Sequence, residues 1–267
     1  MKNKREYKTT AQEIEKERED SELCWGRKPV LELLERTPER CLRVSMIKTG
    51  QHGALDKIVE LCKAAHVPFQ FLDAAALDRL CEGENHQGVV AMTSETPMLD
   101  LTEALALIPP QPERVLAVVL DHIQDPHNLG AIIRSAEAAG ALFVAIPKRR
   151  SALPMGTVMK TSAGASARLP IVSVGNVAQA VLTFQEAGLW SVGLDADTRE
   201  SVFNGDLPSR LLLVVGAEGD GLGHATAKAC DELRRIPMQG KGSSLNASVA
   251  AGIALFEWGR THHHRKI

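Results

Sequence analysis

From Val115 onward, fully apolar runs alternate with stretches of helical periodicity, and few architectures accept that pattern. The runs VLAVVLD (115–121), LFVAIP (142–147), LWSVGLD (189–195) and LLLVVG (211–216) do not alternate apolar with polar residues. A strand that buries one face alternates, so these strands belong to a parallel sheet covered on both sides. Helical stretches lie between them at IIRSAEAAG, VAQAVLTFQEAG and near ATAKACDEL, and LRRIPM reads as a last short strand. The final segment, Leu245–Trp258, is rich in Ala and holds Gly252, as expected of a helix packed closely through small residues.

The N-terminal part has another texture. Residues 1–22 carry six basic and seven acidic side chains with almost no apolar residue, which predicts a charged arm. Residues 23–93 read as a small α/β unit: Pro29–Glu35 is helix-like, Leu42–Ile47 strand-like, and Leu55, Ile58, Val59 and Cys62 share a helical face. The strand-like Phe69–Leu72 and Gly88–Met92 complete it. Prolines at 97, 109, 110 and 112 mark 94–113 as a linker with one short helix, Leu101–Leu107, before a second domain over 114–267.

Composition excludes several classes. With 31 Lys+Arg against 33 Asp+Glu there is no global basic field, and aromatics at 4% make a base-stacking platform a poor first reading. Five cysteines without a C-x-x-C pair support neither a zinc site nor a disulfide framework. No apolar run approaches the roughly 20 residues of a membrane helix, and the first residues lack an apolar signal core, so a cytoplasmic protein without metal or membrane partner is expected. The His262–His264 run reads as a solvated tail.

Ligands of open α/β sheets sit beyond the carboxyl ends of the strands, so the loops there carry the functional argument. The first, Asp121 to Gly130, leads into Arg134; Asn128 can cap the helix that follows, and buried neighbours Ile132, Ile133 and Ala136 set Arg134 at the edge of the core. The second, Gly216-Ala-Glu-Gly-Asp-Gly-Leu-Gly223, has His224 where a dinucleotide fingerprint needs a third Gly, so its glycines signal close backbone approach rather than NAD. The third, Ile236 to Asn246, has Arg235 and Gly242 where a phosphate loop needs Gly and Ser or Thr, which rejects a Walker NTPase and leaves Ser243, Ser244 and Asn246 at a helix start. The turn Gly193-Leu-Asp-Ala is uninformative alone. No G-x-S-x-G elbow occurs, so a serine hydrolase has no nucleophile loop.

Three of these segments, D-P-x-N-x-G-x-x-x-R at 125–134, V-V-G-A-E-G at 214–219 and I-P-M…S-S-L-N-x-S-V-A-A-G at 236–252, occur together in order. The set resembles the motifs of the SpoU (TrmH) family of SPOUT RNA 2'-O-ribose methyltransferases. Met159–Ala165 (M-K-T-S-A-G-A) is also similar to the family, and Asn85-His-Gln-Gly-Val-Val90 resembles its small substrate-binding domain. The resemblance implies an α/β fold, with a C-terminal parallel-sheet domain holding a deep trefoil knot behind a small α/β (L30e-like) RNA-binding domain. It further implies a homodimer through the knotted domain, S-adenosylmethionine as cofactor, and a guanosine of 23S ribosomal RNA as substrate. Transfer RNA, or RNA binding without catalysis in ribosome assembly, are the alternatives.

Carried over by motif, Asn128, Arg134, Glu218, Ser244 and Asn246 form the catalytic set, and Leu194, Gly216, Gly219, Gly221, Ile236, Met238 and Leu245 the cofactor cleft. The resemblance makes Arg134 the base. Guanidinium groups rarely deprotonate, so holding a phosphate or a developing alkoxide is the other role open to it. Arg27, Lys28, Lys148, Arg149, Arg150 and Lys160 are candidate phosphate contacts, or solvated surface.

Overall fold

The computed structural model describes residues 21–47, 54–81, 83, 85–94, 98–148, 158, 165, 168–240 and 244–262. The chain divides into two compact units, Met1–Thr96 and Pro97–Ile267. Arg149, Arg150, Lys160 and Ser243, most of Met159–Ala165 and all but the last two residues of the charged arm lie outside the described residues.

The first unit is a four-stranded sheet in the order β1-β4-β2-β3, with β1 Glu22–Trp25, β2 Cys41–Ile47, β3 Phe69–Leu72 and β4 Val89–Thr93. Strand β4 runs antiparallel to both β1 and β2, while β2 and β3 are parallel. All five residues of β4 are buried, which is why that run lacks alternation. Helix α1 (Arg27–Arg36) buries Val30, Leu33 and Leu34. Helix α2 (Ala54–Ala64) buries Leu55, Ile58 and Cys62. Asp73 caps α3 (Ala74–Leu80) by accepting from the Ala76 N–H at 2.7 Å.

The second unit is a six-stranded, all-parallel sheet in the order β10-β8-β9-β5-β6-β7. Its strands are β5 Val115–Asp121, β6 Val144–Pro147, β7 Ile171–Val174, β8 Trp190–Leu194, β9 Arg210–Gly216 and β10 Glu232–Arg234. The chain builds outward through β6 and β7, then crosses to the other side of β5. The change of direction falls between β5 and β9, which pair along their whole length from Val115–Arg210 to Asp121–Gly216. That topology leaves a crevice at their carboxyl ends.

Both faces of the sheet are covered. On one, Leu116, Val118, Leu120, Leu211, Leu213 and Val215 pack with α5 (Pro126–Ala138) and α8 (Ala247–His262) through Ile132, Ile133, Ala251, Leu255 and Trp258. On the other, Ala117, Val119, Leu212 and Val214 meet α6 (Val177–Glu186) through Val181 and Phe184, and the short α7 (His224–Ala229) packs beside α6. At Gly252 an added Cβ would be 3.9 Å from Ser135 Oγ, an ordinary contact, so its lack of a side chain is not what lets α8 approach.

The linker expected over 94–113 is instead largely part of this second core. Leu99 bridges Val172 of β7, and α4 (Leu101–Leu107), closed by an Asp100–Glu103 capping box, buries Ala104 against the sheet. Arg210, almost fully buried, donates to the carbonyls of Gly188, Pro109 and Glu113 and so fastens the proline-rich turn to β9.

Candidate active site

Strand β5 delivers Asp121 to the crevice, and the chain turns there into α5. Asp125, not Asn128, caps that helix, its Oδ1 accepting from the His127 N–H at 2.9 Å, with Pro126 in the first turn. Asn128 is thereby released from the capping role the sequence suggested. Its Oδ1 accepts from Asn246 Nδ2 at 2.9 Å, and its own Nδ2 lies 3.5 Å from Glu218 Oε2.

Asn246 ties the cluster together because both ends of its amide are committed. Its Oδ1 accepts from Ser248 N and Oγ, at 2.9 and 2.6 Å, at the start of α8. Its Nδ2 therefore faces away from the helix and donates to Glu218 Oε2 at 2.9 Å as well as to Asn128. A carboxylate held by two side-chain amides keeps a fixed direction.

Glu218 sits on the turn that follows β9. Ala217 and Gly221 exchange backbone hydrogen bonds at 3.0 Å, and Gly219 and Gly221 adopt left-handed φ of 87° and 64°. A Cβ on Gly216 would lie 2.2 Å from the backbone of Gly221. The close approach expected of these glycines is thus, at Gly216, the approach of the turn to itself.

This turn is a partition between two cavities. One, of about 490 Å³, is lined by His122, Asp125, Asn128, Glu218 and Asp220, among others. The other, of about 400 Å³, is lined by all seven residues expected in the cofactor cleft: Leu194, Gly216, Gly219, Gly221, Ile236, Met238 and Leu245. Ser244 lines it too, as do Asp195, Asp197, Arg234 and Arg235, which were not among the residues expected there. A turn carrying two acids after β8 is a common pattern. Only the parallel pairing of β8 with β9 and β10 aims it here.

Arg134 departs from expectation. It is exposed on α5, not set at the edge of the core, and belongs to neither cavity wall. Six residues beyond Asn128 on a helix of 3.6 residues per turn, it projects about 120° away from it. Among the phosphate candidates, Arg27 donates from N and Nε to Gln87, and Lys28 and Lys148 are exposed.

Two further features bear on the chemistry. Asp121 is fully buried; its Oδ2 accepts from the Gly223 N–H at 2.8 Å and its Oδ1 lies 2.5 Å from His122 Nδ1. Burial, with Asp231 and Asp121 nearby, pushes the Cys230 thiol up to about 12, which leaves it inert as a nucleophile. Among the described residues, no group of three or more His, Cys, Asp or Glu is placed to hold a metal ion, and no helix is long and apolar enough to cross a membrane.

Comparison with known proteins agrees with this geometry. The SpoU rRNA Methylase family model matches residues 115–256, and the model for RNA 2'-O ribose methyltransferase substrate binding matches 23–98. The chain is 40% identical over 240 residues to the 23S rRNA (guanosine-2'-O-)-methyltransferase RlmB of Vibrio parahaemolyticus, covering 89% of this chain and 96% of that protein. To its Escherichia coli counterpart the identity is 38% over 240 residues, covering 89% and 97%. The crystal structure of the SpoU methyltransferase AviRb from Streptomyces viridochromogenes, in complex with the cofactor AdoMet, superposes with a TM-score of 0.76 at 27% identity, covering 95% of this chain and 94% of that one. The chain belongs to the SpoU rRNA methylase family.

Proposed function

We propose that this protein transfers a methyl group from S-adenosylmethionine to the ribose 2'-hydroxyl of a guanosine in 23S ribosomal RNA. The observation that carries the reading is the Asn128–Glu218–Asn246 cluster, hydrogen-bonded at one wall of a cavity and separated by a single turn from a second one.

The second cavity fits the cofactor. Its volume lies in the range of small-ligand sites, Leu194, Ile236, Met238 and Leu245 supply apolar walls for an adenine, and the glycine turn exposes backbone rather than side chains. Asp195 and Asp197 offer carboxylates to a positively charged ligand. Bound there, S-adenosylmethionine supplies an electrophilic methyl group. The chain's part is alignment: Glu218, held by the two amides, accepts a hydrogen bond from a ribose hydroxyl, and Asn128 fixes the nucleotide at the same wall. Ser244 stands in the wall of the second cavity, on the cofactor side. Arg134, on the solvent face of α5, takes the phosphate-holding role rather than that of base.

Three further parts of the reading rest on family membership and topology. Beyond outer strand β10 the chain returns to α8, which packs on α5, and this return is where a deep trefoil knot belongs. Helix α8 buries one face yet leaves Val249 and Phe256 about half exposed, the surface through which two copies pair. A protein acting on bacterial ribosomal RNA would work in the cytoplasm.

The test is transfer of labelled methyl from S-adenosylmethionine to unmodified 23S ribosomal RNA and, in parallel, transfer RNA. Label on ribosomal RNA recovered as 2'-O-methylguanosine, and lost with Glu218→Gln, is expected. Label on transfer RNA alone would move the substrate, and none on either despite measured cofactor binding would overturn the reading.

A further inference from the structure

The methyl-transfer reading gives tasks to Glu218, Asn128 and Asn246 and leaves one acid in the wall of the first cavity without any. We infer that Asp220 selects the base of the target nucleotide, its carboxylate accepting from both donors on the Watson–Crick edge of guanine. The inference rests on the reading above and names the group that makes guanosine the substrate.

Three observations carry it. First, the carboxylates of Asp125, Glu218 and Asp220 line the cavity of about 490 Å³, and no Lys or Arg stands among the described residues of its wall. Second, two of these acids are already committed. Asp125 Oδ1 accepts from the His127 N–H at 2.9 Å in capping α5, and Glu218 Oε2 accepts from Asn246 Nδ2 at 2.9 Å. Asp220 is exposed and has no hydrogen bond or ion pair with any described residue. Third, Glu218 and Asp220 flank Gly219 at the tip of the turn that the paired Ala217–Gly221 bonds close. Two residues span at most about 7 Å of chain, so one nucleoside reaches both acids, its ribose at Glu218 and its base at Asp220.

The chemistry of this wall narrows the occupant. Carboxylates repel a phosphate, so the nucleoside enters and its phosphates stay outside. An ionised carboxyl group only accepts hydrogen bonds. Guanine sets N1–H and its 2-amino group side by side, which answers both oxygens of one carboxylate. Adenine and cytosine set a ring-nitrogen acceptor beside the amino group, and uracil flanks N3–H with two carbonyls. Each of these would bring an acceptor against Asp220. A nucleotide splayed out of an RNA loop presents that edge unpaired.

Asp220 also borders the second cavity, so a role toward the cofactor is the competing one, and the experiment separates the two. Wild type and Asp220→Ala are given RNA carrying guanosine or inosine at the methylated position, mapped beforehand with labelled methyl. Inosine differs from guanosine only in lacking the 2-amino group. With wild type, kcat/KM for inosine should fall about 10- to 100-fold below that for guanosine, the worth of a hydrogen bond to a charged group. In Asp220→Ala the preference between the two bases should vanish, because the lost amino group and the lost carboxylate belong to one interaction. A variant that had merely lost its fold would lower both rates and keep their ratio. Calorimetric titration should show S-adenosylmethionine affinity unchanged in Asp220→Ala. Equal use of both bases by wild type, a preference retained in the variant, or weakened cofactor binding would overturn the proposal alone. A wild-type protein that transfers methyl to no guanosine would overturn it together with the reading it rests on.

Discussion

At the residue scale, Asn246 has two separable duties. Its oxygen caps α8 and its nitrogen joins Asn128 to Glu218. Asn246→Ala should therefore cost about 1 kcal/mol in urea unfolding, the worth of a helix cap, together with methyl transfer. Asn246→Asp keeps an acceptor for the cap but sets a second carboxylate against Glu218. Its stability should stay within about 0.5 kcal/mol of wild type, because aspartate caps as well as asparagine, while transfer falls on the order of 100-fold or more. The three members of this cluster were legible in sequence because each sits in a motif. Their mutual contacts were not, since Asn128 and Asn246 are 118 positions apart. Arg134 was misplaced for a simple reason: on a helix, the residue after a buried Ile133 turns 100° toward solvent.

At the element scale, the turn after β9 and the bolt behind it make distinct predictions. Gly221→Ala should cost about 1–2 kcal/mol, the strain of a left-handed side-chain-bearing residue, because a Cβ there meets open space. Gly216→Ala puts its Cβ into the backbone of Gly221, so the turn must open. Calorimetric titration should show S-adenosylmethionine binding lost in Gly216→Ala and only weakened in Gly221→Ala. Arg210→Met leaves the carbonyls of Gly188, Pro109 and Glu113 without their donor and should destabilise the second unit by about 3 kcal/mol or more in denaturant. Strands β5, β8 and β9 announced themselves by their apolar runs, and Leu101–Leu107 read as a helix inside the expected linker. Strands β1 and β7 went unread although β3 and β6 are no longer than they are: Leu23 and Cys24 are hidden behind the charged arm, and the run Ile171–Val174 is interrupted by Ser173. Prolines 109, 110 and 112 imitate a linker because they form a turn whose order comes from a distant arginine.

At the scale of the whole molecule, the two units respond to different challenges. Burial pushes the thiols of Cys24 and Cys41 up to about 12 and that of Cys62 up to about 11. In the unfolded chain these thiols ionise near pH 9, so their contribution to stability is complete below pH 9 and is lost as pH climbs toward 11 or 12. The thermal midpoint of unfolding should hold level to about pH 8.5 and fall above it. The proposed pairing of two copies through α8 belongs to the second unit, and on that proposal Phe256→Glu should shift sedimentation from dimer to monomer. One consequence of its topology concerns synthesis. Strand β5 leaves the ribosome first, yet its partner β9 comes only after β6, β7 and β8, and Asn246 later still. Until then the nascent sheet has an open edge at its centre and Asp121 has no Gly223 to bind. Contacts so distant along the chain make folding slow, and the Asn128–Glu218–Asn246 cluster can close only after nearly the whole chain has emerged.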